Sequence, residues 1–131
     1  MTDEELADLA EFRAALRNFL AFSEQVAAAQ GATTQWYQAL LVIKTFNSSE
    51  PITVGALANQ LMIRDNSATE LISRLVAAKL VQRKPDPTDG RKAHLHITPR
   101  GERVLSTLAF AHFERLQEFR NAFLKPFKVR K

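Results

Sequence analysis

The hydrophobic period of this chain changes after Leu80, and this change restricts the fold more than any other feature of the sequence. Before Leu80, apolar residues recur every three or four positions, which is the pattern of amphipathic helices. After it, LVQRK and KAHLHIT alternate between apolar and polar residues, as short β-strands do. PDPTDGR lies between them and is rich in turn-forming residues. The sequence therefore predicts a β-hairpin directly behind a set of helices.

Two short helices are predicted before the hairpin. Thr53 is placed to cap the first, VGALANQL, and the second follows the interruption MIRDN as SATELISRLVAAKL. Ser67 and Glu70 have the spacing of a capping box in the second helix, and Asp65 is a competing cap. Helical spacing gives each helix one stripe to bury: Val54, Leu57, Ala58 and Leu61 in the first, and Ala68, Leu71, Ile72 and Leu75 in the second.

The opposite face of the second helix is polar, and all its side chains can form hydrogen bonds: Asn66, Ser67, Thr69, Glu70, Ser73 and Arg74. Two short helices joined by a tight turn, the second with a small polar face, make a helix-turn-helix pattern. A helix-turn-helix followed by a β-hairpin is a winged helix. The predicted fold is thus mainly α with a small β-hairpin, and the winged helix covers about residues 33–98.

Longer helices are predicted around this centre. An amphipathic helix runs from about Glu4 to Ala29, and Gly31 ends it. The apolar helix QWYQALLVIKTF then follows a cap at Thr33 or Thr34.

A second long helix is predicted near the C-terminus, with Thr98 as its cap, Pro99 at its first position and Pro126 as its end or a kink. Eight of the nine phenylalanines lie in the two terminal segments: Phe12, Phe19, Phe22, Phe110, Phe113, Phe119, Phe123 and Phe127. These helices can pair within one chain or with the same helices of a second copy. We expect a homodimer with dimerisation helices at about residues 1–30 and 99–131, because closed two-fold dimers commonly bury such surfaces.

Composition narrows the class of protein. A chain of 131 residues has the size of one domain, and the absence of cysteine excludes disulfides and thiolate metal sites. The start, MTDEELADLAEF, is acidic where a signal peptide is basic, and no apolar run approaches the roughly 20 residues of a membrane span, so a cytoplasmic protein is expected. Net charge is −4 over residues 1–63, +4 over 64–103 and +4 over 104–131. Such a distribution favours a polyanionic partner.

The central part of the chain contains a set of residues in one characteristic spacing. They are Arg74 and Leu75, LVQR at 80–83, Asp86, Asp89 and Arg91, and then Leu95, Ile97, Thr98 and Gly101. In this spacing, residues 53–101 resemble the DNA-binding core of the multiple-antibiotic-resistance regulator (MarR) family of winged-helix repressors. The flanking long helices fit that family's dimerisation region. The family usually has glycine where this chain has Lys79, so a left-handed helix end would cost about 1 kcal/mol here.

The resemblance implies a sequence-specific DNA-binding transcriptional regulator. The side chains placed to read base edges in the major groove are Asn66, Ser67, Thr69 and Ser73. The candidates for phosphate contacts are Arg64, Arg74, Arg83, Lys84 and Arg100. Glu70 would accept a hydrogen bond from cytosine or turn away to pair with Arg74.

For the hairpin tip, the resemblance implies that Asp89 orients Arg91 for a narrow minor groove, a task that suits the weakly hydrated guanidinium. Lys92 is expected to contact a phosphate group of the DNA. The alternative for Asp89 and Arg91 is a surface ion pair worth at most about 1 kcal/mol.

The expected function is a homodimeric repressor that places two recognition helices in successive major grooves of a palindromic site, about 34–36 Å apart. Trp36 and Tyr37 either line a pocket for an apolar or aromatic effector or belong to the core. A different class of function stays open: a winged-helix module for protein interaction without specific DNA binding, which Glu70 and the acidic first helix favour.

The sequence contains little evidence for catalysis or for metal binding. His94 and His96 share a strand face, but with no cysteine and His112 as the third histidine, no metal site is expected. No nucleophile, phosphate-loop or paired-carboxylate constellation has a supporting context. The chain is therefore predicted to be neither an enzyme nor a cofactor-binding protein.

Overall fold

The computed structural model describes the backbone of residues 1–124 and the side chains of residues 1–120. It contains five α-helices and one antiparallel hairpin, in the order α1 Asp3–Ala29, α2 Thr34–Thr45, α3 Val54–Leu61, α4 Asp65–Ala77, β1 Val81–Pro85, β2 Ala93–Ile97 and α5 Pro99–Leu124. The predicted mainly α architecture with a small hairpin is confirmed. Phe127, the predicted helix end at Pro126, the basic tail and the side chain of Phe123 lie outside the described residues. None of the described helices is long and apolar enough to cross a membrane.

Most helix starts follow the predicted capping residues. The Oγ1 atoms of Thr33 and Thr53 accept from the backbone N–H groups three residues on, at 3.1 and 3.2 Å. At the start of α1, Thr2 and Glu5 form a reciprocal capping box that the sequence reading missed. At the start of α5, Thr98 Oγ1 accepts from Gly101 N at 3.0 Å, as a cap there should. Threonine hydroxyls thus fix where four of the five helices begin.

The predicted capping box of α4 is wrong. The helix begins at Asp65, with Arg64 in the N-cap position and no side-chain cap, so Ser67 and Glu70 both lie inside its first turns. The backbone N–H of Ala68 instead bonds to the carbonyl of Arg64 at 3.0 Å. Glu70 is drawn to Arg74 rather than back to the helix start.

Helix α4 ends at a left-handed residue, as the departure at Lys79 predicted. Lys79 has φ 64°, its N–H bonds to Val76 O at 2.9 Å, and the N–H of Leu80 bonds to Leu75 O at 3.0 Å. This is the Schellman arrangement, which glycine usually completes because it has no Cβ. Lys79 therefore holds a conformation that a lysine side chain disfavours.

Two compact units form within the chain, one from residues 32–107 and the other from residues 1–31 with the described residues from 108 onward. The first unit contains α2, α3, α4, the hairpin and the start of α5 around one apolar core. Its largest fully buried side chains are Leu40, Ile52, Leu57, Ile72, Leu75, Leu95 and Val81. The predicted stripe of α4 is buried residue for residue, and Leu57 and Ala58 are buried from the stripe of α3.

The hairpin pairs Val81 with Ile97 and Pro85 with Ala93, in antiparallel register. At its base, the segment before α3 adds to β2: Leu95 N donates to Ile52 O at 2.9 Å, and Thr53 forms a bridge with His94. This third segment covers part of β2, so His94 is buried together with Leu95 although the two point to opposite sides. The α2–α3 loop and the hairpin thus share backbone hydrogen bonds.

In the second unit, aromatic rings of α1 contact the C-terminal half of α5. Phe19 and Phe119 have ring centroids 5.1 Å apart, and Phe12 lies 6.5 Å from Phe119. Buried His112 forms hydrogen bonds through both ring nitrogens: Nδ1 lies 2.6 Å from Leu108 O, and Nε2 lies 2.8 Å from Ser23 Oγ. The two helices therefore do make contacts within one chain, which was the alternative to a purely intermolecular pairing.

Candidate nucleic-acid interface

The outer face of α4 is exposed at all six predicted polar positions. The hydroxyl of Thr69 donates to Asp65 O and that of Ser73 donates to Thr69 O, both at 3.0 Å. Because their hydrogens are used along the helix, both hydroxyl oxygens face outward chiefly as acceptors. Asn66 Oδ1 accepts from Ser67 N at 3.0 Å, which leaves the amide NH₂ of Asn66 as a donor. The face thus offers both donors and acceptors to a partner.

Glu70 pairs with Arg74 rather than standing alone on this face. Glu70 Oε1 accepts from an Arg74 terminal nitrogen at 2.8 Å, with both side chains largely exposed. The pair has the favourable i, i+4 order, which is worth about 0.3–0.5 kcal/mol on a helix surface. The negative charge of Glu70 is therefore offset locally, and Arg74 keeps further N–H groups for other acceptors.

Asp86 organises the turn of the hairpin. Its Oδ1 accepts from Thr88 N, Thr88 Oγ1 and Asp89 N, at 2.8, 2.8 and 2.9 Å. These hydrogen bonds, first of all that from the backbone of Thr88, lower the pKa of Asp86 to about 2. The carboxylate stays charged near neutral pH and holds the turn as an Asx-type cap.

Asp89 holds Arg91 at the tip of the turn. Its Oδ1 accepts from Arg91 N at 3.1 Å and from Arg91 Nε at 3.3 Å. The Arg91 side chain is otherwise 94% exposed. The residue pair that the sequence singled out is therefore in contact, and the rest of the guanidinium stays exposed.

A groove of about 490 Å³ lies between the hairpin, α4 and the start of α3. Its described lining residues are Thr53, Val54, Gly55, Thr69, Arg83, Arg91, Lys92 and Ala93. Three of these eight are cations and none is an acid. The structure thus brings four predicted contact residues, from the helix, the strand and the turn, to one basic groove.

The remaining predicted cations are divided between other places. Lys84 and Arg100 line a second groove of about 590 Å³ on another face of the hairpin, together with Lys79 and Arg83. Arg64 is exposed at the start of α4 and lines neither groove. Sequence reasoning grouped these cations by charge, whereas the fold separates Lys84 and Arg100 from Arg91.

Trp36 and Tyr37, the proposed effector residues, are both partly buried and pack against the core of residues 32–107. Burial raises the pKa of the Tyr37 phenol. Neither residue lines the two grooves described above.

His94 and His96 were predicted to share a strand face, and the structure separates their surroundings. His94 is buried, with Nε2 3.0 Å from Asp86 Oδ2. His96 is half-buried, and burial, followed by the charges of Lys84 and His94, lowers its pKa. Glu50, from the loop before α3, approaches the Asp86–His94 pair. Sequence reasoning missed this grouping because the three residues come from distant parts of the chain.

Similarity to known sequences supports the winged-helix fold that the structure shows. A sequence profile described as MarR family matches residues 30–92, which contain α2, α3, α4 and β1. Over this region, just under half of the chain, the sequence is similar to the MarR family. Within known sequences, it is 31% identical over 72 residues to the uncharacterized HTH-type transcriptional regulator YsmB of Bacillus subtilis, a match that covers 55% of this chain and 49% of YsmB. The chain spans about half the length of YsmB and 63% of that of a second curated relative.

Solved structures share the fold of this chain. AbsC, a MarR family transcriptional regulator from Streptomyces coelicolor, matches with a TM-score of 0.75 at 21% identity, over 91% of this chain and 80% of AbsC. The MepR–DNA complex from S. aureus matches with a TM-score of 0.75 at 18% identity, over 92% of this chain and 84% of MepR. At these identities the likeness concerns the fold.

Proposed function

We propose that this chain is a member of the MarR family and a sequence-specific double-stranded DNA-binding transcriptional regulator that acts as a homodimer. The observation that carries the proposal is the basic groove, where Thr69 of α4, Arg83 of β1, and Arg91 and Lys92 of the wing lie together. A surface with three cations and no acid suits a phosphate backbone, because the release of counterions from DNA supplies most sequence-independent affinity. The DNA-bound state of MepR, which has the same fold, supports this use of the winged helix.

In the proposed complex, α4 enters the major groove and reads base edges through Asn66, Ser67, Thr69 and Ser73. Arg83 and Lys92 neutralise phosphates next to the groove, and Arg64 and Arg74 do so at the two ends of the α4 face. The wing reaches the adjacent minor groove. There, Asp89 limits the conformations of Arg91, so less entropy is lost when the guanidinium inserts.

The second groove gives Lys84 and Arg100 a different task. They line a different groove from Arg91, so we assign them to phosphates outside the central contact or to general attraction of DNA.

A dimer is supported by apolar side chains of the terminal helices that a single chain leaves in water. Phe110 and Phe113 are 67% and 69% exposed, and Leu6, Leu9, Leu20 and Leu116 are also exposed. Exposed aromatic patches of this kind commonly mark an interface. A two-fold pair of chains would present two copies of α4 to a palindromic site, with centres about 34–36 Å apart.

Regulation in this proposal is repression by occupancy of the operator in the cytoplasm, relieved when a small apolar or aromatic molecule binds near Trp36 and Tyr37. Both rings are only partly buried, so a ligand has access to them. Trp36 is the single tryptophan of the chain, and quenching of its fluorescence would report such a ligand directly.

The test is a selection of bound sites from randomised duplex DNA with the full chain, followed by sequencing. The expected result is an enriched palindrome with half-sites one helical turn apart, and an affinity that falls steeply as salt rises. A selection that enriches no sequence would reject the proposal. It would favour the protein-interaction module that Glu70 and the acidic first helix suggest, although Arg74 offsets the charge of Glu70.

A further inference from the structure

Three side chains capable of metal ligation converge at the base of the wing. Glu50, Asp86 and His94 each offer one ligand atom, and these atoms all lie within 4.8 Å of one another. We propose that Glu50, Asp86 and His94 form a binding site for one divalent transition-metal ion of the Zn²⁺ class. The proposal does not depend on DNA binding, and its test uses the protein alone.

The fold brings these residues together through backbone pairing. Leu95 N donates to Ile52 O at 2.9 Å, and Thr53 bridges His94, so the loop before α3 runs beside β2. Glu50 stands two residues before Ile52 and is therefore carried to the same edge. Asp86 comes directly after β1 and faces His94 across the hairpin. The three groups thus come from three segments whose spacing is fixed by hydrogen bonds.

His94 supplies the observation that points to a ligand. Its ring is only 7% exposed, and Nε2 is buried with no hydrogen-bond partner among the described residues. Asp86 Oδ2 lies 3.0 Å from Nε2, yet the two are not aligned as a hydrogen bond. A buried nitrogen without a hydrogen-bond partner is costly. A cation bound between the two atoms would remove that cost.

The spacing of the donor atoms suits a metal ion. When each ligand atom lies about 2.0–2.2 Å from a tetrahedral Zn²⁺, neighbouring ligand atoms are about 3.3–3.6 Å apart. The 3.0 Å separation of Nε2 and Oδ2 is only a few tenths of an ångström shorter, so a small shift of the two side chains would admit the ion. Glu50 is exposed, so its side chain has the freedom to close the longer gap. One imidazole and two carboxylates leave a further position for water, as in three-ligand zinc sites.

Asp86 can serve the turn and the ion at the same time. Its Oδ1 accepts all three hydrogen bonds from Thr88 and Asp89, whereas Oδ2 faces His94. An ion on Oδ2 would fix the carboxylate that positions Asp89 N, and Asp89 in turn holds Arg91. The site would thereby tie the α2–α3 loop to the wing tip and restrict the wing.

The experiment is isothermal titration calorimetry of Zn²⁺ into the tag-free full chain, with Mg²⁺ as the comparison ion. We expect one Zn²⁺ per chain and at least about tenfold weaker binding in Glu50→Gln, because one of three ligands becomes neutral and a poor donor. Glu50 is exposed, so this variant should fold normally. His96→Gln is the matched control: it removes a neighbouring histidine outside the cluster and should leave the affinity unchanged.

Hydrogen exchange provides a second readout. Zn²⁺ should slow the exchange of the Thr88 and Asp89 amides, whose acceptor is Asp86 Oδ1, and should not do so in Glu50→Gln. No Zn²⁺ binding by the unmodified chain, equal binding by Glu50→Gln, or loss of binding in His96→Gln would each overturn the proposal. The first of these results would mean that Asp86 and His94 lie side by side without a bound ion.

Discussion

At the scale of single residues, Arg91 is the side chain whose removal should have the largest effect on DNA affinity. Arg91→Ala is expected to weaken binding roughly 10- to 100-fold, as the loss of a specific contact worth about 1–3 kcal/mol would do. Arg91→Lys should recover little of this loss, because a lysine has no Nε–H for Asp89 to hold. The measurement is fluorescence anisotropy with the selected operator.

The matched control is Arg17→Ala, which removes the same charge from the exposed face of α1. Its affinity should stay near that of the unmodified chain. Equal losses in the two variants would mean that Arg91 acts only through net charge and that the wing has no specific contact.

Lys79 allows a test of backbone strain at one position. Lys79→Gly should stabilise the fold by about 1 kcal/mol, because φ 64° is unfavourable for a residue with a Cβ. Urea denaturation followed by circular dichroism measures the change. Lys79→Ala keeps the Cβ and removes only the charged chain, so it should leave the midpoint unchanged. If alanine stabilised as much as glycine, charge and not strain would be responsible.

Individual residues also show what sequence reasoning can and cannot reach. The buried stripe of α4 was predictable because helical period is a local signal, whereas the left-handed Lys79 was predictable only from the glycine that the MarR family usually has at that position. The start of α4 was not predictable in this way. Ser67 and Glu70 have capping-box spacing, yet Glu70 forms an ion pair with Arg74. The contact of Glu50 with the wing had no local signal, since it depends on the pairing of Ile52 with Leu95.

At the scale of elements, Gly101 sets how closely α5 approaches the end of α4. A Cβ added there would overlap the carbonyl oxygen of Leu80 and lie 2.8 Å from Ile97 Cγ1. Gly101→Ala should therefore destabilise the fold by about 1–3 kcal/mol, since two backbones must separate. Urea denaturation again measures it.

Gly55 provides the opposite case within the same unit. A Cβ at Gly55 meets no atom within 4 Å, and the residue lies in helix α3. Gly55→Ala should stabilise by roughly 0.5–1 kcal/mol through helix propensity. Similar effects of the two substitutions would show that Gly101 is not a packing constraint.

The wing turn should respond to acid through Asp86. Its pKa is about 2 in the fold, against 3.8 for the unperturbed group, so its charge stabilises the folded state above about pH 4. That contribution is lost as the pH falls from about 4 to 2. Asn at this position keeps an acceptor for the turn but has no charge, so Asp86→Asn isolates the effect.

The measurement is the urea midpoint of both proteins between pH 7 and pH 2. The unmodified chain should be more stable at pH 7, and the difference should disappear towards pH 2. A difference that is constant over the whole range would exclude a contribution from this carboxylate.

Elements as a whole were more predictable than their interactions. α3 has the predicted bounds, and Thr33, Thr53 and Thr98 were recognised as caps, because capping depends on residues within one turn. The broken alternation of β2 could not be foreseen, since His94 is buried by a segment forty residues earlier in the chain.

At the scale of the whole molecule, the exposed phenylalanines of α5 decide between a monomer and the proposed dimer. Phe113→Asp should shift the chain from dimer to monomer in sedimentation velocity, because an exposed ring in one chain becomes buried in the pair. Met62→Asp is the control: Met62 is 91% exposed but lies between α3 and α4. A Phe113→Asp protein with unchanged mass would place the dimer contact elsewhere.

The hydrogen bond between Ile52 and Leu95 has a consequence for the order in which the protein forms. It closes a loop of about 40 residues that contains α3 and α4. Closing this loop costs conformational entropy, so the bond should form late in folding, after those helices have assembled by local contacts. The hairpin should be among the last parts to fold and the first to open in the native ensemble. A regulator built this way would sample a state with its recognition helix intact and its wing detached. In that state the helix would contact DNA before the wing binds.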